Sequence, residues 1–213
     1  MLSVLRLWVV FLCLILGAVT QPGAAEPQEA GKTQGKDTVE AEDPDMAPAD
    51  IFAAAKSGNL KAVRKFLDDN PSLLNARTKV GDTALHWAAS CKHVEVVRFL
   101  LSKSPDVNAR NITGSTPLHV ACRAGNKAIV ELLIGGKAEV NAKAEDDEQE
   151  TALHIAVRRN DAELAQLLLE NKADIQAKLQ NGQTPMDLAR KNGRSNMLRL
   201  LRKFGATDTE NEE

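Results

Sequence analysis

Four short, similar stretches decide the fold: TALHWAA at 83–89, TPLHVAC at 116–122, TALHIAV at 151–157 and TPMDLAR at 184–190. They begin 33, 35 and 33 residues apart, and a fainter copy begins at Ile51. Self-similarity at a fixed period of this length indicates stacked structural repeats, none of which can bury its apolar face alone. The core is therefore expected to form between neighbouring repeats.

Each stretch is followed by a second apolar pattern, which predicts a second helix in every repeat. Aliphatic residues recur at i, i+3 and i+4, the spacing that places them on one side of a helix. In the second repeat these residues are Val96, Val97, Leu100 and Leu101. Aromatic residues make up only 3% of the chain, so Leu, Val, Ile and Ala have to fill the core.

The quoted stretches resemble the ankyrin repeat family, whose T-P-L-H-x-A pattern recurs about every 33 residues. The resemblance covers residues 49–206, about three quarters of the chain. It implies an all-α ankyrin-repeat solenoid of five helix-turn-helix units with β-turn fingers. We place the repeats at about 49–81, 82–114, 115–149, 150–182 and 183–206.

Some residues fit the pattern of the family and others depart from it. Pro117 and Pro185 fall at the first position of a helix, where the missing N–H group costs nothing. Lys92 and Asn160 stand where the turn between the two helices favours glycine, so they are strained if that turn needs a positive φ. Asp187 replaces the histidine in the last repeat, as is common in a polar terminal cap of the family.

The third finger, residues 145–150, has two extra residues and contains only acidic and amide side chains. We name it the acidic finger. Its spacing lacks the alternating ligands and the glycine of a calcium loop. We interpret it as a solvated charged finger.

The ends of the chain differ from the repeats. Residues 1–20 combine a charged start with a short apolar run, which favours a secretory signal cleaved after residue 20 or 25. The sequence therefore predicts a secreted or periplasmic protein; the alternative is a membrane anchor formed by residues 1–19. Residues 21–48 read as a disordered acidic linker and 207–213 as an acidic tail.

Charge is segregated along the chain. The formal net charge is −2, but the linker carries −5 and the tail −4, whereas residues 49–205 carry +6. A basic body favours an anionic partner. Nucleic acid is disfavoured because basic residues alternate with acids and aromatic residues for base stacking are lacking.

Candidate chemistry is sparse. His86, His119 and His154 occupy equivalent positions in successive repeats, and packed helices lie ~8–10 Å apart, so one metal ion cannot reach all three. We expect each histidine to bond to the threonine three residues earlier and to nearby backbone. No phosphate loop, nucleophile elbow or acid–base pair is found in the sequence. We therefore expect no enzymatic activity, cofactor, metal or small-molecule substrate.

Two further motifs could carry modifications. Cys91 and Cys122 fall on adjacent first helices with an offset of two residues, which turns their side chains apart. Because a disulfide needs Cα atoms closer than ~7 Å, we predict that this pair is not bridged. Asn111, Ile112 and Thr113 form a glycosylation sequon at an exposed finger, which matters only in a eukaryotic secretory route.

The positions that close each first helix are exposed on the concave face of this family. Five of these ten positions are basic and none is acidic. We name the five residues the basic ladder: Lys56, Arg123, Arg158, Arg159 and Lys191. The resemblance also implies partner contacts at the finger tips, for which we choose Lys79, Val80, Ile112 and Gln180.

The leading hypothesis is a monomeric, non-enzymatic protein-binding module outside the cytoplasm, whose partner has an acidic surface. One alternative is binding of a polyanion, an acidic glycan or nucleic acid, through the basic repeats. Another is a membrane-anchored accessory scaffold, if the N-terminal segment is not cleaved.

Overall fold

A computed structural model of the chain describes residues 51–146 and 148–207. The expected signal segment or anchor, the acidic linker and residues 208–213 of the acidic tail lie outside the described residues.

The described residues form ten α-helices, one short 3₁₀ helix at Pro71–Asn75 and no strand. In none of these helices are length and apolarity sufficient for crossing a bilayer. The helices are α1 (Ile51–Ser57), α2 (Leu60–Asp69), α3 (Ala84–Ser90), α4 (Val94–Ser102), α5 (Pro117–Ala124), α6 (Lys127–Gly135), α7 (Ala152–Arg159), α8 (Ala162–Glu170), α9 (Pro185–Lys191) and α10 (Ser195–Lys203).

The helices stack in two layers. The first helices of the repeats, α1, α3, α5, α7 and α9, contact one another in order and form the inner layer. The second helices stack in the same order as an outer layer. The predicted all-α solenoid of five two-helix units is thereby confirmed.

Small residues hold the inner layer together. Ala88, Ala89 and Ala121 are fully buried, and so is Ala156. Their size lets neighbouring helices approach closely, while buried leucines such as Leu133 fill the space between the layers. The core is almost free of aromatic rings, as the composition predicts.

The turn inside each repeat needs a left-handed residue. Gly58, Gly125 and Gly193 have φ values of 74°, 70° and 63°. Lys92 and Asn160, at the equivalent positions, have φ values of 64° and 59°. The positive φ on which the prediction of strain depended is therefore observed at both residues; the cost falls on Lys92, because asparagine adopts this region more readily than other side chains.

Candidate partner-binding surface

The fingers form a row joined by backbone hydrogen bonds. Each bond links one finger to the next, so the finger tips are held side by side along one edge of the stack. The donor and acceptor pairs are Ile112 N–H to Val80 carbonyl (2.9 Å), Glu145 N–H to Thr113 carbonyl (2.9 Å) and Gln180 N–H to Glu148 carbonyl (3.1 Å).

The first two tips of this row are apolar. Val80 is 37% exposed and Ile112 is 71% exposed. Among the described residues these are the exposed large hydrophobic side chains. One exposed aliphatic residue is ordinary on a protein surface. Two in hydrogen-bonded neighbouring fingers form a small apolar contact site.

Two arginines of the basic ladder turn back to the finger that precedes their own helix. Arg123 donates from Nη1 to the Ser115 hydroxyl oxygen at 2.9 Å. Arg158 hydrogen-bonds Glu148, and its Nη2 lies 2.9 Å from Glu150 Oε1. Ser115 and Glu150 each precede their arginine by eight residues. The residue at this ladder position thus reaches the last residue of the finger that precedes its helix.

The acidic finger neutralises these arginines. Asp146 Oδ2 lies 3.6 Å from Arg123 Nη2, alongside the contacts of Arg158 with Glu148 and Glu150. Glu150 is only 8% exposed. The prediction of a solvated finger is therefore wrong for Glu150, because this residue stands at the root of the finger, two residues before α7, where its carboxylate faces Arg158 of that helix.

Burial and charge compete at this cluster. Burial raises the pKa of Glu150, although the positive charges of Arg158 and Arg123 act in the opposite direction. Burial by itself would lower the pKa of Arg158, but the hydrogen bond that Arg158 donates to Glu148 and the surrounding carboxylates raise it overall. Arg158 therefore stays charged, and Glu150 is the carboxyl group that protonates more readily than usual.

The remaining ladder residues lie in different surroundings. Arg159 donates from Nη1 to the carbonyl of Arg123 at 2.7 Å, across the boundary between two repeats. Lys56 places its Nζ 5.1 Å from the centre of the Trp87 ring, a cation–π contact. Lys191 ends α9 and is exposed. The ladder residues therefore do not present a continuous row of uncompensated charge.

The histidines join repeats. Nδ1 of His86 accepts from the Thr83 N–H (3.1 Å), while its Nε2 donates to the Ser115 carbonyl (3.1 Å) in the next finger. His119 makes the same local contact with Thr116, and its Nε2 lies 3.0 Å from the Ala142 carbonyl. The predicted bonding to threonine and backbone is confirmed for these two histidines. His154 makes the contact with Thr151, but its Nε2 is buried without a hydrogen-bond partner. Asp187 keeps the local part, accepting from the Thr184 N–H at 2.9 Å.

Burial keeps the imidazoles neutral. Burial lowers the pKa of His119 to about 4, and the charge of Arg123 acts in the same direction. Burial also lowers the pKa of His154 to about 4, although backbone carbonyls of Gln183 and Ala177 oppose the shift. In the part of the chain that the structure describes, no cluster of three potential metal ligands occurs.

The cysteines and the sequon also have defined surroundings. No disulfide joins Cys91 and Cys122, the two cysteines among the described residues. Burial raises the pKa of the Cys122 thiol to about 12, so this thiol is unreactive in the folded protein. Asn111 donates from Nδ2 to Asp82 Oδ1 at 2.9 Å, so its side chain also links two fingers.

Two sets of bonds between repeats were not predicted from the sequence. Both start in the segments that close each repeat, such as VNAR at 107–110, and the recurrence of asparagine and a basic residue in these segments could have indicated them. Asparagine Oδ1 atoms accept from the next repeat, and basic side chains donate to it. The asparagine Oδ1 atoms accept from the next repeat in the pairs Asn75 with Asp106 N–H (2.9 Å), Asn108 with Glu139 N–H (2.8 Å) and Asn141 with Asp174 N–H (2.7 Å). The basic side chains donate in the pairs Arg77 with the Arg110 carbonyl (2.6 Å), Arg110 with the Lys143 carbonyl (2.8 Å) and Lys143 with the Lys178 carbonyl (3.0 Å).

Stacked two-helix units with projecting finger tips define a repeat protein that offers an extended binding surface. A family model described as ankyrin repeats (3 copies) matches residues 51–144 and residues 133–211. Because these matches span more than half of the sequence, the chain belongs to the ankyrin repeat family. Ankyrin repeats are protein–protein interaction modules and are typically not enzymes.

Proposed function

We propose that this protein is a monomeric, non-enzymatic module that acts outside the cytoplasm and binds a protein partner with an acidic surface. The partner contacts the finger tips and the basic residues at the ends of the inner helices. The observation that carries the proposal is the exposed pair of Val80 and Ile112, held side by side by a backbone hydrogen bond of 2.9 Å. Neighbouring apolar tips offer a partner a contact that excludes water.

Basic residues in the first finger and at the ends of the inner helices supply the electrostatic part of the surface. Lys56 and Lys191 lie toward opposite ends of the inner layer, and Lys79 precedes Val80 in its finger. Residues 49–205 carry a formal charge of +6. A positive surface accelerates the capture of an acidic partner and gives an association rate that falls with salt.

Purification of the tagged full-length protein from its native source tests whether the finger tips contribute to partner binding. Proteins recovered with the natural chain are compared by quantitative mass spectrometry with those recovered with Ile112→Asp. The matched control is Ala162→Asp, which places the same new charge at an exposed position on the outer helix α8. We expect a partner that depends on Ile112 and tolerates the control. Equal recovery with all three proteins would remove the finger tips from the proposal.

The location outside the cytoplasm rests on the sequence of residues 1–25. An intact-mass measurement of the protein from its native source should show a chain shortened by 20 or 25 residues. Retention of Met1 in a membrane fraction would instead favour the anchored accessory scaffold.

Polyanion binding is the second candidate, and the charge of +6 is the observation that favours it. The intramolecular contacts of Arg123, Arg158 and Arg159 count against it, since these groups already have partners. Retention of the protein on heparin at physiological salt would favour this candidate, whereas elution below that salt would favour a protein partner.

A further inference from the structure

The acidic finger covers the centre of the proposed binding surface with its own carboxylates. Arg158 contacts Glu148, and Arg123 Nη2 lies 3.6 Å from Asp146 Oδ2. These are the two arginines of the basic ladder that face the fingers. The contacts therefore show which chemical group this part of the surface binds.

Stacking of the repeats does not require these ion pairs. The neighbouring finger has Ser115 at its root, where the acidic finger has Glu150, and it makes the same kind of backbone bond to the next finger. The backbone carbonyl of Glu148 bonds to Gln180 N–H, so that only its side chain has to rotate to release Arg158.

The two outer ion pairs are weak and the inner one is protected. The side chains of Glu148 and Arg158 are 51% and 46% exposed, and those of Asp146 and Arg123 are 31% and 38% exposed. Pairs this accessible to water are easily exchanged for other ion pairs. Glu150, with a side chain only 10% exposed, remains beside Arg158 and holds its guanidinium in place.

We propose that the acidic finger is an intramolecular competitor for the partner: a carboxylate-rich protein segment binds by replacing Glu148 on Arg158 and Asp146 on Arg123. The inference rests on the proposed function. It adds that the bound segment of the partner is rich in carboxylates and that the acidic finger weakens its binding. Because three carboxylates face two arginines here, a polyanion attracted only by net charge gains little at this position.

Fluorescence anisotropy with a fluorescein-labelled decaglutamate peptide tests the exchange on the full chain at low salt. The test variant is Asp146→Asn with Glu148→Gln, and the matched control is Glu131→Gln with Glu163→Gln. The control removes the same charge from exposed positions on the outer helices α6 and α8.

We expect the test variant to bind the peptide about three- to thirty-fold more tightly than the control variant, since two exposed ion pairs no longer compete. Adding Arg123→Gln and Arg158→Gln to the test variant should remove the gain. Equal affinity of the peptide for the test and control variants, or no binding to either, would overturn the proposal that the acidic finger competes with the partner. Loss of a partner with Ile112→Asp is independent of this result. The finger tips can therefore bind the partner even if the acidic finger does not compete with it. Circular dichroism and thermal melting confirm that each variant is folded.

Discussion

The Arg159 guanidinium, at the end of α7, donates a hydrogen bond of 2.7 Å to the backbone carbonyl of Arg123 in the last turn of α5. The final carbonyls of a helix have no partner inside it and carry partial negative charge. A positive side chain of one repeat therefore caps the inner helix of the repeat before it. Arg194 makes the same kind of contact with the Val157 carbonyl (3.1 Å), and the ring nitrogen Nε2 of His93 lies 2.8 Å from the Lys56 carbonyl.

Replacement of Arg159 by alanine should lower the free energy of unfolding by about 1 kcal/mol, because the carbonyl loses a charged donor at the helix end. Urea unfolding followed by circular dichroism measures the change. Arg98→Ala is the control, since Arg98 lies 3.8 Å from Glu95 in an exposed pair of the outer layer. Its effect should stay within about 0.5 kcal/mol. Equal losses in the two variants would show that the capping contact contributes nothing.

The turn at Lys92 should tolerate glycine better than the natural residue. Lys92 has a φ of 64°, which a side chain disfavours. We expect Lys92→Gly to raise the free energy of unfolding by about 0.5–1 kcal/mol. Gly193→Ala is the matched opposite change, because Gly193 has a φ of 63° and nothing lies within 4 Å of an added Cβ atom. It should lower the free energy by about 1 kcal/mol, and a shift of the same sign in both variants would contradict the argument.

The repeated stretches predicted the helices because their information is local. Pro117 begins α5 and Thr184 caps α9, and both positions are readable from a few neighbouring residues. The histidine contacts were predictable for the same reason, since Thr83 and His86 lie one helical turn apart.

The surroundings of the basic ladder could not be predicted from the repeat pattern. Whether the arginine at this ladder position faces a hydroxyl or a carboxylate depends on the residue eight positions before it, which is Ser115 for Arg123 and Glu150 for Arg158. That residues eight positions apart, such as Ser115 and Arg123, contact each other becomes recognisable only from the structure. Basic residues at equivalent positions of the repeats therefore have different contact partners.

Asn111 should be a structural residue of its finger. Its Oδ1 accepts from the N–H groups of Thr113 and Ser115 at 3.1 and 3.0 Å, while Nδ2 donates to Asp82 Oδ1. Asn111→Asp keeps the acceptor but places a carboxylate against Asp82. We expect a loss of about 1–3 kcal/mol in the free energy of unfolding, measured with urea.

Thr113→Ala is the control for the sequon. It abolishes the glycosylation pattern but leaves the amide of Asn111 in contact with Asp82, so stability should fall less than with Asn111→Asp. If Thr113→Ala were the more damaging change, the link between the two fingers would not be the important contact.

Acid should destabilise the fold through its buried histidines. His119 and His154 have pKa values of about 4 in the folded protein, against about 6.5 in an unfolded chain. Between these values the unfolded state binds more protons, so stability is complete above pH ~6.5 and decreases as the pH falls toward 4. Each histidine accounts for at most about 3 kcal/mol of that loss. The raised pKa of Glu150 acts in the opposite direction, because its protonation favours the folded state.

Urea unfolding of His154→Gln at pH 7.5 and pH 5 isolates one of these contributions. Glutamine at this position can still accept from the Thr151 N–H in a capping box, but it does not titrate. The difference in stability between the two pH values should therefore shrink by about 1–2 kcal/mol relative to the natural protein. Ile129→Val, a buried change that removes one methylene group, should lower stability by the same amount at both pH values. If His154→Gln behaved like Ile129→Val, the buried imidazole would not be the source of the acid sensitivity.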